Sequence, residues 1–269
     1  MEPAPQSCYR HPDRRGGVLC QRCDRPICPD CMHQASVGFH CPECTRESGQ
    51  KVVRARQAGA GSTSVTNVLI ALNLAIFAFG IGGGLETKTS IIFDGGLFGP
   101  AVAAGDWWRI LSSGFLHANA LHIGFNMFVL YQLGQLMEPV LGKARFTLVY
   151  VVSLLTGSLG VLILEPDNFT VGASGAVFGL MGAAVAAMRS RGINPFQTGL
   201  GTTLMLNLVI TFSIPGISIG GHLGGLVGGF VAAWVIVDVG PSQTKDARVP
   251  AAAVAMLGIV VAGACLVIA

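Results

Sequence analysis

From residue 66 onward this chain is a series of long apolar segments, and this feature constrains its fold more than any other. A helix needs about 20 apolar residues to cross a bilayer, and fewer inside a bundle of helices. Seven segments qualify: 66–84, 111–141, 146–164, 173–188, 198–212, 217–239 and 249–269. The second is expected to include some interfacial chain at its start. Charged residues are rare there, because residues 1–60 hold 15 of them and the other 209 residues hold 16. The sequence therefore predicts an all-α polytopic membrane protein with a polar N-terminal head.

The head holds seven of the eight cysteines, all within residues 8–44. With one histidine they form four pairs whose members are separated by two residues. The pairs are Cys8 and His11, Cys20 and Cys23, Cys28 and Cys31, and Cys41 and Cys44. Two such pairs can close a tetrahedral zinc site, so four pairs predict two ions. A disulfide-bonded knot is the alternative, but the odd number of cysteines and the basic segment that follows favour metal.

The order of the pairs resembles the B-box type of zinc finger, in which alternate pairs share a metal ion. The resemblance implies two zinc sites in a domain of residues 1–47. Their ligands are Cys8, His11, Cys28 and Cys31 in one site, and Cys20, Cys23, Cys41 and Cys44 in the other. His33 and His40 are rival ligands. Because protein side chains fill every position, both zinc ions are expected to be structural, and a cytoplasmic protein is the expected partner of the head.

The distribution of lysine and arginine predicts how the segments cross the membrane. Basic residues cluster at 46–56, just before the first segment. Of the eight that follow, six lie on the same side if all seven segments span. This places the N-terminus in the cytoplasm and the C-terminus outside, with the plasma membrane as the expected location. The basic cluster then flanks the membrane, and no nucleic acid is expected as a partner. Residues 48–65 are predicted to be a linker, and the polar N-terminus predicts no cleavable signal peptide.

Strongly polar side chains inside the apolar segments are costly and need an explanation. His122 and Asn126 lie in the second segment, Ser174 in the fourth and His222 in the sixth, each near its start. Even-numbered segments run from the outside to the inside, so these four groups lie at one depth in the outer half of the membrane. They predict a shared, water-accessible cavity. The lone asparagines of the first and fifth segments are interpreted as helix–helix contacts.

Ser174 and His222 have the residue types that nucleophilic catalysis needs. Ser174 begins a predicted helix, where its backbone N–H lacks an intrahelical partner and can bind an anion. Glycines recur at every fourth position around His222, so the fourth and sixth segments can pack closely and bring the imidazole within reach of the hydroxyl. A serine needs such a base, and no acidic residue lies at this depth, so the sequence predicts a Ser–His dyad. His122 and Asn126 can supply donors to the oxyanion.

Together these motifs resemble the signature of the rhomboid proteases, over about residues 65–240. They are Trp108-Arg109 in the outer loop, His117-x4-His122-x3-Asn126, Gly172-Ala173-Ser174-Gly175 and Gly221-His222-Leu223-Gly224-Gly225, in family order. The resemblance implies Ser174 and His222 as the catalytic pair, and His122 and Asn126 in the oxyanion hole.

The same resemblance implies an architecture and a substrate class. A rhomboid-like six-helix core is expected over residues 66–240, with a seventh span in 241–269 and no cofactor for catalysis. Substrates are expected to be transmembrane proteins in the lipid bilayer, cleaved near the outer face at small or helix-destabilising residues.

Two other functions stay open from the sequence. Polar groups within the membrane and glycine-rich helices also suit a transporter or channel, which would predict inverted repeats; the sequence has no convincing one. A membrane adaptor that recruits a partner through the zinc head is the other alternative, although an intact dyad argues against it as the main role.

Overall fold

The computed structural model describes residues 7–35, 38–47, 63–81, 86–240, 246 and 248–269. The chain divides into two compact units, Met1–Ala60 and Gly61–Ala269, and each is described by itself. The division lies inside the predicted linker, 48–65, most of which falls outside the described residues. The predicted boundary at 240 likewise borders residues outside the description.

The first unit contains little regular structure. Strand β1 (Val18–Leu19) pairs antiparallel with β2 (Pro26–Ile27), and β3 (His33–Gln34) pairs antiparallel with β4 (Phe39–His40). One short helix, α1 (Pro42–Glu47), follows. The buried core of this unit consists of cysteines and a single aliphatic side chain, that of Ile27. So small an apolar core cannot hold a domain together without a cross-link or a metal ion.

The second unit is built of helices. In chain order these are α2 (Ser64–Gly80), α3 (Thr89–Gly95), α4 (Gly99–Ala103), α5 (Arg109–Ser112), α6 (Ala120–Leu141), α7 (Lys143–Leu164), α8 (Ser174–Arg189), α9 (Gly199–Ser213), α10 (Ile219–Trp234) and α11 (Arg248–Ile268). A π-helical turn, Val235–Val239, continues α10, and 3-10 turns cover Ser113–Phe115 and Pro195–Gln197.

Three of the described helices are long and apolar enough to cross a membrane: α7, α10 with its continuation to Val239, and α11. The helices α2, α8 and α9 are apolar but shorter. Each of the seven predicted segments coincides with one of these six helices or with α6. The coarse prediction, a helical membrane protein, is therefore confirmed, whereas the crossing of the membrane by seven helices stays a prediction.

The second predicted segment, 111–141, includes chain outside the helix at its start, as expected, because α6 begins only at Ala120. The reason is Asn119, whose side-chain oxygen accepts a hydrogen bond from the backbone N–H of His122 at 2.9 Å and so caps the helix. The residues before it form α5 and a 3-10 turn instead. His122 consequently lies in the first turn of α6.

Helices α8 and α10 pack backbone to backbone through glycine. A Cβ at Gly225 would meet the backbone of Gly175, and one at Gly229 would meet the backbone of Gly179. The second glycine stripe of α10 faces α7, where Gly224 lies against the carbonyl of Thr156. The predicted close packing of the fourth and sixth segments is confirmed, and it brings the start of α10 beside the start of α8.

The described part of the connection between α2 and α6, residues 86–119, is structured and contains the short helices α3, α4 and α5. Arg109 is buried within it, and its Nε donates to the Asp106 carboxylate at 2.9 Å. The same guanidinium donates to the carbonyl oxygens of Phe93 at 2.5 Å and Gly96 at 2.9 Å. These bonds join α3 to α5 and leave the neighbouring Trp107 and Trp108 exposed.

Candidate active site

Ser174 is the first residue of α8, and the turn that precedes it depends on glycine. Gly172 has a φ of +129°, which an L-residue rarely adopts. The first residues of a helix have backbone N–H groups without carbonyl partners inside the helix. At the half-buried Ser174, a side-chain hydroxyl therefore lies next to backbone N–H groups that have no hydrogen-bond partner within the helix.

A cavity of about 30 Å³ lies beside Ser174. Its lining includes the hydroxyl-bearing residues Ser113, Ser158, Thr170 and Ser218. A cavity of this size has room for a water molecule, and polar walls can hold one. The arrangement therefore offers a water site next to the serine.

His222 is held by contacts from two neighbouring helices. Its ring stacks on that of Phe178 in α8, with centroids 4.1 Å apart and an angle of 17° between the planes. Its Nδ1 lies 2.7 Å from the Oγ1 of Thr211 in α9. The side chain is buried, so both contacts are shielded from water. The position and the plane of the imidazole are thereby fixed.

Ser174 and Phe178, the residue on which His222 stacks, share one face of α8. Phe178 follows Ser174 by four residues, which is one helical turn, so both point the same way. The His222 ring, stacked on Phe178, therefore lies over the face that begins with Ser174. Among the described residues, however, no direct hydrogen bond joins the serine hydroxyl to this ring. Such bonds are often long in enzymes without bound substrate.

Glu165 fixes the start of α10, the helix that carries His222. Its carboxylate accepts hydrogen bonds from the backbone N–H groups of Ile219 at 2.9 Å and Gly220 at 3.4 Å, and from the Ser218 hydroxyl. A negative charge at a helix N-terminus is favourable. Glu165 therefore positions the helix, and it forms no bond to the imidazole in the described structure.

His122 and Asn126 lie one turn apart on α6. A Cβ placed on Gly172 would lie 2.7 Å from the His122 Nε2 and 3.7 Å from the Ser174 Oγ, so both side chains border the same small space. The Asn126 Nδ2 donates back to the His122 carbonyl at 2.9 Å, which engages one of its two amide hydrogens. The structure thus brings His122 to the serine, and it keeps Asn126 on the same helix face.

His117 lies behind this space. Its Nε2 is 3.5 Å from the backbone N–H of Ala173, which donates to it, and its ring meets that of His122 edge to face at 5.1 Å. The carbonyl of His117 accepts a hydrogen bond from the Thr87 hydroxyl. His117 therefore supports the turn before Ser174 as well as the outer loop.

Three residues of the site were missed by sequence reasoning: Phe178, Thr211 and Glu165. The spacing of Phe178, four residues after Ser174, is a signal that could have identified it. Thr211 and Glu165 give no such signal, because their roles depend on how α9 and the end of α7 pack against α10.

The cysteine pairs of the head come together in two groups. One contains Cys8, His11, Cys28 and Cys31, and the other contains Cys20, Cys23, Cys41 and Cys44. Within each group the possible ligand atoms all lie within 4.8 Å of one another. The rival ligands His33 and His40 are paired with each other across β3 and β4 and belong to neither group.

The distances in both groups fit a tetrahedral zinc ion. With zinc–sulfur bonds of about 2.3 Å, the edge between two sulfur ligands is about 3.8 Å. The Sγ atoms of Cys23 and Cys41 are 3.7 Å apart. In the other group, the Nδ1 of His11 lies 3.4 Å from the Sγ atoms of Cys28 and Cys31. No disulfide joins any of the eight cysteines, all of which are described.

The pKa values of two thiols in the Cys8 group are shifted in opposite directions. Burial raises the pKa of Cys8, but hydrogen bonds from the backbone of Arg10, Cys28 and His11 outweigh this effect and lower that pKa to about 6. Burial and hydrogen bonds with the neighbouring thiols, chiefly Cys8, raise the pKa of Cys31 to about 12. At neutral pH the Cys8 thiolate is therefore favoured, whereas ionisation of Cys31 is opposed by burial and by its neighbours. A bound divalent cation would offset the repulsion between adjacent thiolates and favour the ionised form of all the thiols.

Comparison with known proteins identifies the second unit. The rhomboid domain matches residues 104–239, about half of the chain. The chain is 32% identical over 182 residues to rhomboid protease GluP of Bacillus subtilis (strain 168), which covers 66% of this chain and 36% of that protein. It is 46% identical over 82 residues to the putative rhomboid protease YdcA of the same organism, covering 30% of this chain and 41% of that one.

A third relative comes from another bacterium. Rhomboid protease AarA of Providencia stuartii is 30% identical over 144 residues, which cover 46% of this chain and 51% of that protein. The chain thus spans between about a third and a half of the length of these curated relatives. The matched residues include Ser174, His222, His122 and Asn126 within the rhomboid domain. The chain therefore belongs to the rhomboid family.

Proposed function

We propose that the chain is an intramembrane serine endopeptidase that cleaves transmembrane proteins near the outer face of the membrane. The observation that carries this proposal is the stacking of the His222 ring on Phe178, one helical turn from Ser174 at the start of α8. This geometry supports a role for His222 as a general base that takes the proton of Ser174 at the helix N-terminus. The names of the relatives support the same activity, since each is called a rhomboid protease.

In the proposed reaction, the Ser174 hydroxyl attacks the carbonyl carbon of the scissile bond while the Nε2 of His222 takes its proton. The imidazolium then returns the proton to the leaving amine, and water hydrolyses the acyl-enzyme. The small cavity beside Ser174, whose lining includes four other hydroxyl-bearing residues, is suited to supply that water. No metal or other cofactor is needed in these steps.

The negative charge of the tetrahedral intermediate needs donors that are already in place. The backbone N–H of Ser174, the His122 ring and the Asn126 amide are proposed for this role. The space bordered by His122 Nε2 and Ser174 Oγ beside Gly172 supports the proposal, because an oxyanion there would be within reach of both the helix start and the imidazole.

The proposed topology follows the basic residues. The head lies in the cytoplasm, six spans form the catalytic core, the seventh span leads outside, and the protein resides in the plasma membrane. The head binds two structural zinc ions through its two groups of ligands and recruits a cytoplasmic protein partner. The tetrahedral spacing of those groups supports the zinc assignment.

A purified-protein assay tests the proposed activity. The protein in detergent is incubated with a single-span test substrate, and Ser174→Ala serves as the control. Cleavage by the native chain and its loss in well-folded Ser174→Ala are expected, because removing the nucleophile typically costs several orders of magnitude in rate. Labelling of Ser174 by a fluorophosphonate distinguishes a serine hydrolase from a transporter or an adaptor. Cleavage by Ser174→Ala at the native rate would rule out the nucleophile.

A further inference from the structure

Thr211 occupies an unusual position between two polar groups in the interior of the helical unit. Its side chain is 1% exposed. The hydroxyl donates to the carbonyl of Asn207, one turn earlier in α9, at 2.7 Å. The same oxygen lies 2.7 Å from the Nδ1 of His222 in α10. It is the one hydrogen-bond partner of the His222 ring among the described residues.

These two contacts determine which ring nitrogen carries the proton. A threonine hydroxyl has one hydrogen and two lone pairs. With that hydrogen directed to the Asn207 carbonyl, the oxygen offers His222 a lone pair, and Nδ1 is then the donor. The neutral imidazole then has its proton on Nδ1 and a free electron pair on Nε2. That is the tautomer a general base requires.

We infer that Thr211 is a positioning residue that holds His222 as the Nδ1–H tautomer, with Nε2 free to accept the proton of Ser174. The inference rests on the proposed function, in which His222 is the base. Phe178 fixes the plane of the ring by stacking, and Thr211 fixes its rotation within that plane. The two neighbours therefore leave the ring a single orientation.

The same contact acts when the base becomes charged. As the Ser174 oxygen bonds to the carbonyl carbon, its proton moves to Nε2 and the ring becomes an imidazolium. Nδ1–H continues to donate to the Thr211 oxygen, and a hydrogen bond to a charged group is stronger than one between neutral groups. A neutral hydroxyl thus does here what a carboxylate does in a Ser–His–Asp triad, without a second buried charge inside the apolar unit.

Three substitutions separate the effect of the Thr211 hydroxyl from the effect of its packing. Thr211→Val keeps the branched shape and removes the hydroxyl, whereas Thr211→Ser keeps the hydroxyl and removes a methyl group. Thr203→Val is the matched control, because the Thr203 hydroxyl makes the same bond one turn back in α9, to Gly199 at 3.0 Å, but has no ring partner. All three variants are compared by their cleavage of the single-span test substrate and by thermal unfolding.

We expect Thr211→Val to lower kcat roughly ten- to a hundredfold with KM little changed, the rate equivalent of a hydrogen bond to a charged group. Thr211→Ser should restore most of the rate, and Thr203→Val should keep it. Nitrogen-15 NMR of histidine-labelled protein gives an independent readout, with the His222 signals assigned by their loss in His222→Ala. The native chain should show a protonated Nδ1, and Thr211→Val should lose that preference.

Each failure has its own signature. If the native chain cleaves, Ser174→Ala does not, and Thr211→Val retains the native kcat, the proposed function stands and the role of Thr211 is refuted. A ring protonated on Nε2 in the native chain also refutes it, whatever the activity. If Thr211→Ser is as impaired as Thr211→Val, packing rather than the hydroxyl is responsible. Cleavage that persists in Ser174→Ala refutes the proposed function instead.

Discussion

Gly172 is the single residue whose enlargement tests the geometry around Ser174 most directly. Its added Cβ would lie 2.7 Å from His122 Nε2, inside the space proposed for the oxyanion. We expect Gly172→Ala to lower kcat/KM on the test substrate by at least about a hundredfold, comparable with the loss of an oxyanion donor. Gly105→Ala is the matched control, since Gly105 also has a positive φ, +113°, but no atom within 4 Å of its Cβ. Equal losses in both variants would assign the effect to backbone strain.

Asn126 should matter less than Ser174. One oxyanion donor is worth about 3–4 kcal/mol, and the other proposed donors remain when it is removed. We expect Asn126→Ala to reduce kcat by roughly a hundred- to a thousandfold while Ser174→Ala abolishes cleavage, as measured in the same assay. Complete inactivity of a well-folded Asn126→Ala would mean that this amide does more than stabilise charge.

At the residue scale, the position of the candidate site could be predicted from the sequence, but the hydrogen bonds between its side chains could not. The four polar residues of the apolar segments stand out because burial makes each of them costly. Thr211 does not, because a hydroxyl inside a helix usually bonds to the carbonyl one turn back, and many threonines of this chain do so. Only the packing of α9 against α10 distinguishes it.

At the scale of the helix, the contact between α8 and α10 is the element that joins serine to histidine. A Cβ at Gly225 would collide with the backbone of Gly175, one turn or less from both Ser174 and His222, the proposed catalytic residues. We expect Gly225→Ala to force the helices apart, to destabilise the protein by about 1–3 kcal/mol and to lower activity. Thermal unfolding in detergent and the cleavage assay measure the two effects.

Gly263→Ala in α11 is the matched substitution for this test. Its added Cβ would meet no atom within 4 Å, and alanine favours a helix over glycine by about 1 kcal/mol. It should therefore leave stability unchanged or slightly raised. Similar unfolding temperatures for the two variants would contradict the close packing of α8 and α10.

Most helix positions could be predicted from hydrophobicity, whereas the start of α6 could not. The predicted segment 146–164 lies within α7, and 173–188 begins one residue before α8, since the apolar runs themselves set these bounds. In the segment 111–141 the sequence indicates interfacial chain before the helix but not its length, and the Asn119 cap sets the start of α6 at Ala120. A local hydrogen bond thus outweighs composition at that point.

The whole chain combines two units that hold together for different physical reasons. The helical unit buries many apolar side chains in two clusters, whereas the head buries chiefly cysteine. Regular spacing of cysteine and histidine made the ligand groups predictable, because a metal imposes its own geometry on whatever chain binds it. The sequence alone could not choose between His11 and the rivals His33 and His40, and the structure places only His11 within 4.8 Å of a group of thiols.

The metal content of the head supplies the last prediction. Two groups of four ligands with tetrahedral spacing should bind two zinc ions per chain, and metal binding should supply most of the folding free energy of so small a core. Elemental analysis of the purified full chain should give two zinc ions, and Cys31→Ser should reduce the number to about one. Cys265→Ser is the control, because Cys265 is buried in α11 outside both groups and its loss should leave the zinc content unchanged.

A strong chelator should remove the zinc and unfold the head while cleavage of the test substrate continues, since the proposed catalytic residues lie in the other unit. One zinc ion or none in the native chain would contradict the two-site arrangement, and loss of cleavage with the helices intact would show that the head controls catalysis.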